Sequence, residues 1–392
     1  MRNGSFGKHI LPTPAVFASY RIADFPRAGL RFHPWEITQT KAVLLNAYDL
    51  IANTRTRKYT NEIRERKQTL GEHIEFHGPV MLDSGAYNFL QHEVITIKPN
   101  DVLDIALEFN ANVCVVLDHP FPPHASADEI AVRLKHTQTN TRAMFERLKQ
   151  KKQTAENIQL MPVLHGHDAK TLERSLRNIR STIGQDPSIV GIGSLAPLAQ
   201  NGSKRTVVDI IRTVRELLPE AHIHCFSMGS ALLMLLAFYC GADTVDSQTW
   251  IMSAAFKQVQ LPGCYLTRLS QKEAQINPKY KLLRLRFAQQ LTYLCTNEDF
   301  TVRNWDTGEI WRISSEREAL KYLDFLIDRD GVNHVHRRAC HNLYAFNFEA
   351  RKVRQIMSCS RLELEEFIFS RLHSTLYRQV FEYAMMKDIK NS

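Results

Sequence analysis

The 392-residue chain predicts an α/β fold, a (β/α)8 TIM-type barrel with a smaller C-terminal subdomain that ends in an amphipathic helix. Three observations predict it. Short apolar runs recur through the first two thirds of the chain, stretches of high helix propensity lie between most of them, and this alternation stops beyond Leu261. Strands alternating with helices imply parallel βαβ units, and about eight strands over roughly 250 residues suit a closed barrel better than the alternative, a doubly wound open sheet.

Taken in order, the candidate buried strands are 15–18, 42–45, 80–82, 113–117, 160–164, 189–192, 222–226 and 244–245. Helical periodicity or propensity covers 99–109, 126–151, 168–181, 207–218 and 230–240. After the barrel, 272–281 is polar, and 297–312 reads as a hairpin around Asp306-Thr307-Gly308. Leu364, Ile368, Leu372, Leu376, Val380 and Ala384 then repeat every four residues, which predicts one amphipathic helix over 361–386. The expected division is a barrel over 1–260 and a subdomain over 261–392 that completes it and offers a surface to nucleic acid.

Composition narrows the function classes. Hydrophobic content of 44% and charged content of 23% are those of an ordinary globular protein. Seven scattered cysteines, an odd number, argue for a reduced cytoplasmic chain over a disulfide framework. The first twenty residues contain no long apolar stretch of the secretory kind, and the longest apolar run, 231–242, is too short to span a bilayer. Fifty Lys and Arg against 41 Asp and Glu leave a formal charge of +9, which favours a polyanionic partner. Basic residues gather at Arg55, Arg57, Lys58, Arg64, Arg66 and Lys67; at Lys279, Lys281, Arg284 and Arg286; and at Arg337, Arg338, Arg351, Lys352 and Arg354.

Two segments carry the chemistry. Met81-Leu-Asp-Ser-Gly-Ala-Tyr87 and Gly241-Ala-Asp-Thr-Val-Asp-Ser247 are each an apolar run stopping at an aspartate followed by serine. Asp83 and Asp246 at strand ends of a barrel would face one centre from its C-terminal rim, where catalytic groups collect. A carboxylate pair of that kind suits glycosidic chemistry, one as nucleophile and one handling the proton. The alternative reading of either aspartate alone is a helix N-cap.

The strand ends in order are Asp83-Ser-Gly-Ala-Tyr-Asn88, Leu117-Asp-His-Pro120, Val163-Leu-His-Gly166, Ile192-Gly-Ser-Leu-Ala196, Phe226-Ser-Met-Gly229 and Val245-Asp-Ser247. This series resembles the tRNA-guanine transglycosylase superfamily, whose strand ends read roughly DSGGYQ, FDECTP, VQGG, VGGLAVGE, LMGVG and FDCVLPTR, and Cys340-His-Asn-Leu-Tyr344 resembles its IHNLHF segment. The resemblance implies a double displacement. Asp246 matches the nucleophile and Asp83 the general acid/base. Tyr87 and Met228 match the side chains that sandwich the base, and Asp118 the acid that reads its amidine edge. Gly193, Ser194 and Leu195 match the backbone around the base carbonyl.

Departures from the pattern shape the expectation further. Ala86, Asn88 and His165 stand where the family has Gly, Gln and a base-contacting Gln. Ala199 takes the place of the Glu of VGGLAVGE, so no carboxylate awaits an aminomethyl cation, which favours 7-cyano-7-deazaguanine. The chemistry needs no cofactor. The family's structural zinc motif, CxCxxC, is absent; Cys295, Cys340 and His341, with His334 and His336 nearby, are the residues left to hold a metal. The altered motifs and missing triplet resemble the branch that inserts 7-deazaguanines into DNA, with a duplex-opening partner protein implied and tRNA as the alternative substrate. A non-catalytic nucleic-acid-binding paralogue and a nucleoside glycosidase are the competing readings.

Overall fold

The computed structural model describes residues 3–22, 30–90, 96–151, 157–200, 203–263, 267–268, 278–327, 334–372 and 374–391. A hairpin opens the chain, β1 (Asn3–Phe6) running antiparallel to β2 (His9–Pro12). Then come β3 (Ala15–Ser19), β4 (Ala42–Asn46), β5 (Val80–Asp83), β6 (Val113–Val115), β7 (Gln159–Met161), β8 (Val163–Leu164), β9 (Ile189–Ile192), β10 (His222–Cys225) and β11 (Thr244–Ser247). They form one sheet in the order β7-β6-β5-β4-β3-β11-β10-β9-β8, and every pairing is parallel.

Pro162 explains why nine segments make eight staves. It separates β7 from β8 because it has no N–H to give to the ladder. The first half pairs with β6 and the second with β9, and the Gly191 N–H reaches the Pro162 carbonyl at 2.9 Å. The sheet thus closes through one bent strand. The fold is the (β/α)8 barrel that the sequence predicts.

Alternation along the staves fills the lumen. Ala15 and Phe17, Ala42 and Leu44, Met81, Val113 and Val115, Met161 and Val163, and Ile189 form one buried cluster with Phe6 and Leu11 of the hairpin. Phe6 meets Phe17 and His222 edge-on, with centroids 6.0 and 5.1 Å apart. Continuing the two-residue period past these positions places Asp83, His165, Gly193, Phe226 and Asp246 at the carboxyl ends of the same inward rows.

The expected helices are present as Pro99–Glu108, Ala127–Gln150, Ala169–Ile183, Lys204–Leu217 and Ala231–Tyr239. Local chemistry sets three of their starts: Ser126 accepts from the Glu129 N–H, Asp168 from Thr171 and Ser230 from Leu233. All nine residues of Ala231–Tyr239 are buried, so its apolar sequence makes a core helix. Three helices between β4 and β5, Ala47–Ile51, Arg57–Arg66 and Leu70–His73, lie where no helix was expected. The second is polar almost all round, burying only Thr60 and Ile63.

The chain divides into two compact units at positions other than residue 260. One comprises 1–23, 41–247 and 374–392; the other comprises 24–40 and 248–373. The single helix expected over 361–386 is two, Arg361–Arg371 and Thr375–Asn391. The uninterrupted four-residue repeat hides the break, because Leu364, Ile368 and Leu372 serve the second unit whereas Val380 and Ala384 serve the barrel. Tyr383 donates to Asp209 at 2.8 Å, Arg212 donates to the Ala384 carbonyl at 2.9 Å, and the Phe381 and Tyr239 rings meet at 5.9 Å. Those contacts fix the last helix to Lys204–Leu217 and its neighbour.

In the second unit, helices Pro278–Asn297, Glu316–Ile327 and His334–Met357 pack around Phe300, Trp305, Tyr322 and Tyr344. The hairpin expected over 297–312 is a single antiparallel bridge, Arg303 to Ile310, on either side of the Asp306–Gly308 turn. Most of the polar stretch 272–281 lies outside the described residues, as does Cys264. No helix among the described residues is long and apolar enough to cross a membrane.

Candidate active site

Parallel strands in a closed barrel bring all their carboxyl ends to one rim, and the residues there are those the motifs single out. Asp83 is the last residue of β5, and Asp246 lies in β11. Asp118 lies three residues beyond β6, and His165 and Gly193 directly follow β8 and β9. Gly85 makes the turn after β5 with φ +83°, and a side chain there would meet Asn46 Oδ1 at 2.4 Å and Tyr48 Cβ at 2.6 Å. Its N–H donates to Asp83 Oδ2 at 3.2 Å, so the turn that demands glycine also aims the carboxyl.

The three carboxyl groups act on one another. Burial first, and then the charges of Asp118 and Asp246, push the Asp83 carboxyl up to about 8, against the weaker opposing pull of the Gly85 and Ser84 N–H groups. At neutral pH Asp83 is therefore a carboxylic acid, able to give a proton. Asp246 is 8% exposed, and its Oδ1 accepts from the Ser227 N–H at 2.7 Å. Ser227 holds φ at +62°, a left-handed conformation costing a residue with a side chain about 1–3 kcal/mol.

Asp118 is held from two sides. Ser84 Oγ donates to its Oδ1 at 3.3 Å, and His165 Nε2 lies 2.9 Å from its Oδ2. The second contact is short but off the imidazole N–H line, leaving Nε2 without a well-formed hydrogen bond. His165 Nδ1 pairs with Ser194 Oγ at 3.0 Å, and that oxygen also accepts from the Phe121 N–H at 3.2 Å. Ser194 is the second left-handed serine of the rim, with φ +59°. A Cβ on Gly193 would approach His165 Cε1 to 2.3 Å, so glycine lets the imidazole reach its place.

The remaining expected residues differ in accessibility. Tyr87, in the 3-10 turn Ala86–Leu90, is 46% exposed and presents its ring to solvent, whereas Met228 is fully buried. The Gly193 N–H is committed to the Leu164 carbonyl at 2.9 Å, and Leu195 opens the short helix Leu195–Gln200 with its side chain buried. Ser84, Ser227, His224 and Thr244 also touch the site and were not singled out by their motifs. For His224 and Thr244 the signal was the two-residue period of β10 and β11, which puts His222, His224, Thr244 and Asp246 on one face.

Comparison with known proteins decides the family. The queuine tRNA-ribosyltransferase family matches residues 13–374, nearly the whole chain. The chain belongs to this family. Its similar relatives include the tRNA-guanine(15) transglycosylases of Archaeoglobus fulgidus, 28% identical over 70% of this chain and 52% of that protein, and of Methanothermobacter thermautotrophicus, 28% identical over 54% and 30%. That of Methanosarcina mazei is 23% identical over 75% and 50%. The chain therefore spans about half or less of the length of these relatives.

Zinc, the metal that this family implies, does not fit the residues offered for it. His341 has both ring nitrogens engaged, Nδ1 with Tyr322 Oη and Nε2 with the Gln260 carbonyl, each at 2.8 Å. Asn342 Oδ1 accepts from the Gln260 N–H at 2.8 Å, so the His-Asn pair clamps one backbone residue. Cys340 Sγ lies 3.6 Å from His336 Nε2, which itself faces the Trp305 carbonyl. Among the described residues no three candidate ligands converge.

Several basic residues are likewise committed to structure. Arg64 pairs with Glu108, Arg284 with Asp324 and Arg337 with Asp306. Arg338 is buried and donates to the Ala254 and Leu326 carbonyls.

Proposed function

We propose that the protein exchanges guanine in a nucleic acid for a 7-deazaguanine by double displacement through Asp246. The observation that carries this reading is the rim itself, where Asp83 and Asp246 stand at the carboxyl ends of parallel strands with Asp118 beside them, and where burial first, and then the charges of Asp118 and Asp246, raise the Asp83 carboxyl. Asp246 attacks C1′ of the target nucleoside; the C1′–N9 bond breaks as a C1′–O bond to the carboxylate forms. Asp83 gives its proton to the departing guanine. It then takes a proton from the incoming base, whose N9 attacks C1′ and frees Asp246. Two displacements retain configuration and replace one hard step by two easier ones.

Asp118 would accept paired N–H bonds from the amidine edge of the base. His165 is fully buried between Asp118 and Ser194, so its part is to hold them rather than to reach the base. Tyr87 offers an exposed ring for stacking. The hydrophobic Ala199 in place of an acid favours a neutral base, 7-cyano-7-deazaguanine.

The proposed substrate is DNA, on the altered motifs and on a site without the family's metal ligands; a partner that opens the duplex would reduce the few kcal/mol needed to extrude the base. The second reading, tRNA, is favoured by the names of the relatives, all tRNA-guanine(15) transglycosylases. Incubating the protein with 7-cyano-7-deazaguanine and either duplex DNA or tRNA, then weighing the digested nucleosides, separates them. Modified deoxyguanosine supports DNA, and modification of tRNA alone replaces it by the second reading. Modification of neither overturns base exchange.

A further inference from the structure

Beneath the proposed nucleophile lies a column of polar groups inside an otherwise apolar barrel. His222 and His224 of β10 face the lumen with Thr244 and Asp246 of β11, and register pairs His224 with Thr244 across the two strands. Thr244 Oγ1 lies 2.9 Å from His222 Nε2 and 3.0 Å from His224 Nδ1. His224 Nε2 lies 3.4 Å from Asp246 Oδ1. The ring of His224 is fully buried, edge-on to Phe17 at 5.5 Å and to Phe226 at 4.6 Å, so it has little freedom to turn. Its Nε2 has no well-formed hydrogen bond, a cost that a buried polar atom rarely carries without purpose.

Proton counting orders the column. One hydroxyl has a single proton to give and two lone pairs, so Thr244 either donates to one imidazole and accepts from the other or accepts from both. Were Thr244 to accept from His224 Nδ1, a neutral ring would turn the Nε2 lone pair toward the Asp246 carboxylate, and like would face like. The opposite direction has no such conflict. His222 Nε2–H gives to Thr244, Thr244 Oγ1–H gives to His224 Nδ1, and His224 Nε2–H points at Asp246. The tautomer follows from the network.

We propose that His224 is a positioning residue for the Asp246 nucleophile, locked by Thr244 and His222 in the tautomer that offers Nε2–H to Oδ1. The Ser227 N–H and His224 both fall on Oδ1, which leaves Oδ2 as the oxygen that attacks. The donor becomes fully used when the carboxylate tilts toward C1′ and settles against it. This rests on the double-displacement reading and adds a support to it that no motif of the chain records.

The test uses the full-length protein with His224→Phe, His224→Gln and Thr244→Val, each checked for an unchanged circular dichroism spectrum. Phenylalanine fills the space without a donor, and glutamine restores an N–H near the position of Nε2. Valine keeps the shape of threonine and removes the lock. The rate of covalent adduct formation should fall about 10- to 100-fold in His224→Phe and less in Thr244→Val, as for removal of a group that orients a reacting one. His224→Gln should recover much of the rate, and nucleic-acid affinity should stay the same throughout. Nitrogen-15 NMR of the free enzyme should report the Nε2–H tautomer for His224, mixed in Thr244→Val. A wild-type adduct rate in His224→Phe, or an Nδ1–H tautomer in the wild type, overturns the proposal. If even the wild type forms no adduct the transglycosylation reading falls, and the tautomer still decides the column.

Discussion

Asp83 is a partly buried acid at pH 7 because desolvation first, and then the charges of Asp118 and Asp246, make its ionisation unfavourable. Its folded value near 8 stands above the unfolded value near 3.8. The group therefore contributes stability that is fully present below about 3.8 and is lost as pH rises through about 8. Asp83→Asn, which cannot ionise, should lose less melting temperature than the wild type between pH 6 and 9, and thermal scans across that range check it. The same substitution should slow base exchange about 10²- to 10⁴-fold, as loss of a general acid does. Adduct formation in the wild type should decline as pH rises through about 8. A melting curve for Asp83→Asn parallel to that of the wild type across this range would remove the argument.

Elements explain why the rim is rigid, and which of them could be foreseen. Six of the eight barrel runs were visible as largely apolar segments, as strands buried on both faces are, whereas His222–Cys225 and Thr244–Ser247 carry polar residues at alternate positions. The β1–β2 hairpin was not visible, since four-residue strands whose only buried large side chains are Phe6 and Leu11 carry little periodicity. Phe6 nevertheless packs with Phe17 and His222 in the lumen, and Phe6→Ala should cost about 3–5 kcal/mol, read as a lower urea midpoint. The split of 361–386 was illegible for a different reason: two helices serving two units share one repeat. In the second unit, Trp305 donates to Tyr322 Oη at 2.6 Å, and that hydroxyl continues to His341. Tyr322→Phe strands both partners in the core and should cost about 1–3 kcal/mol. Chelation should leave the wild-type unfolding midpoint where it is; a drop on adding chelator would restore the metal to this core.

At the scale of the whole molecule, order along the chain mattered more than any single motif. An Asp-Ser at a strand end is commonplace, and only the series from Asp83 to Asp246, spaced by helices, implied one rim. What the series could not disclose was chemistry perpendicular to the strands. The support of Asp118 by His165, and of Asp246 by His224, joins residues on neighbouring staves, and adjacency in a barrel follows from register. The absence of a zinc motif was legible as a missing triplet, but the hydrogen-bonded His341 clamp in the second unit was not. The most direct test of the account is capture of the enzyme on its substrate. Denaturing electrophoresis of the protein incubated with guanine-containing nucleic acid should reveal a covalent band for the wild type and none for Asp246→Asn, with the attached peptide spanning residue 246. An adduct of equal yield in Asp246→Asn, or base exchange without any adduct, would contradict it.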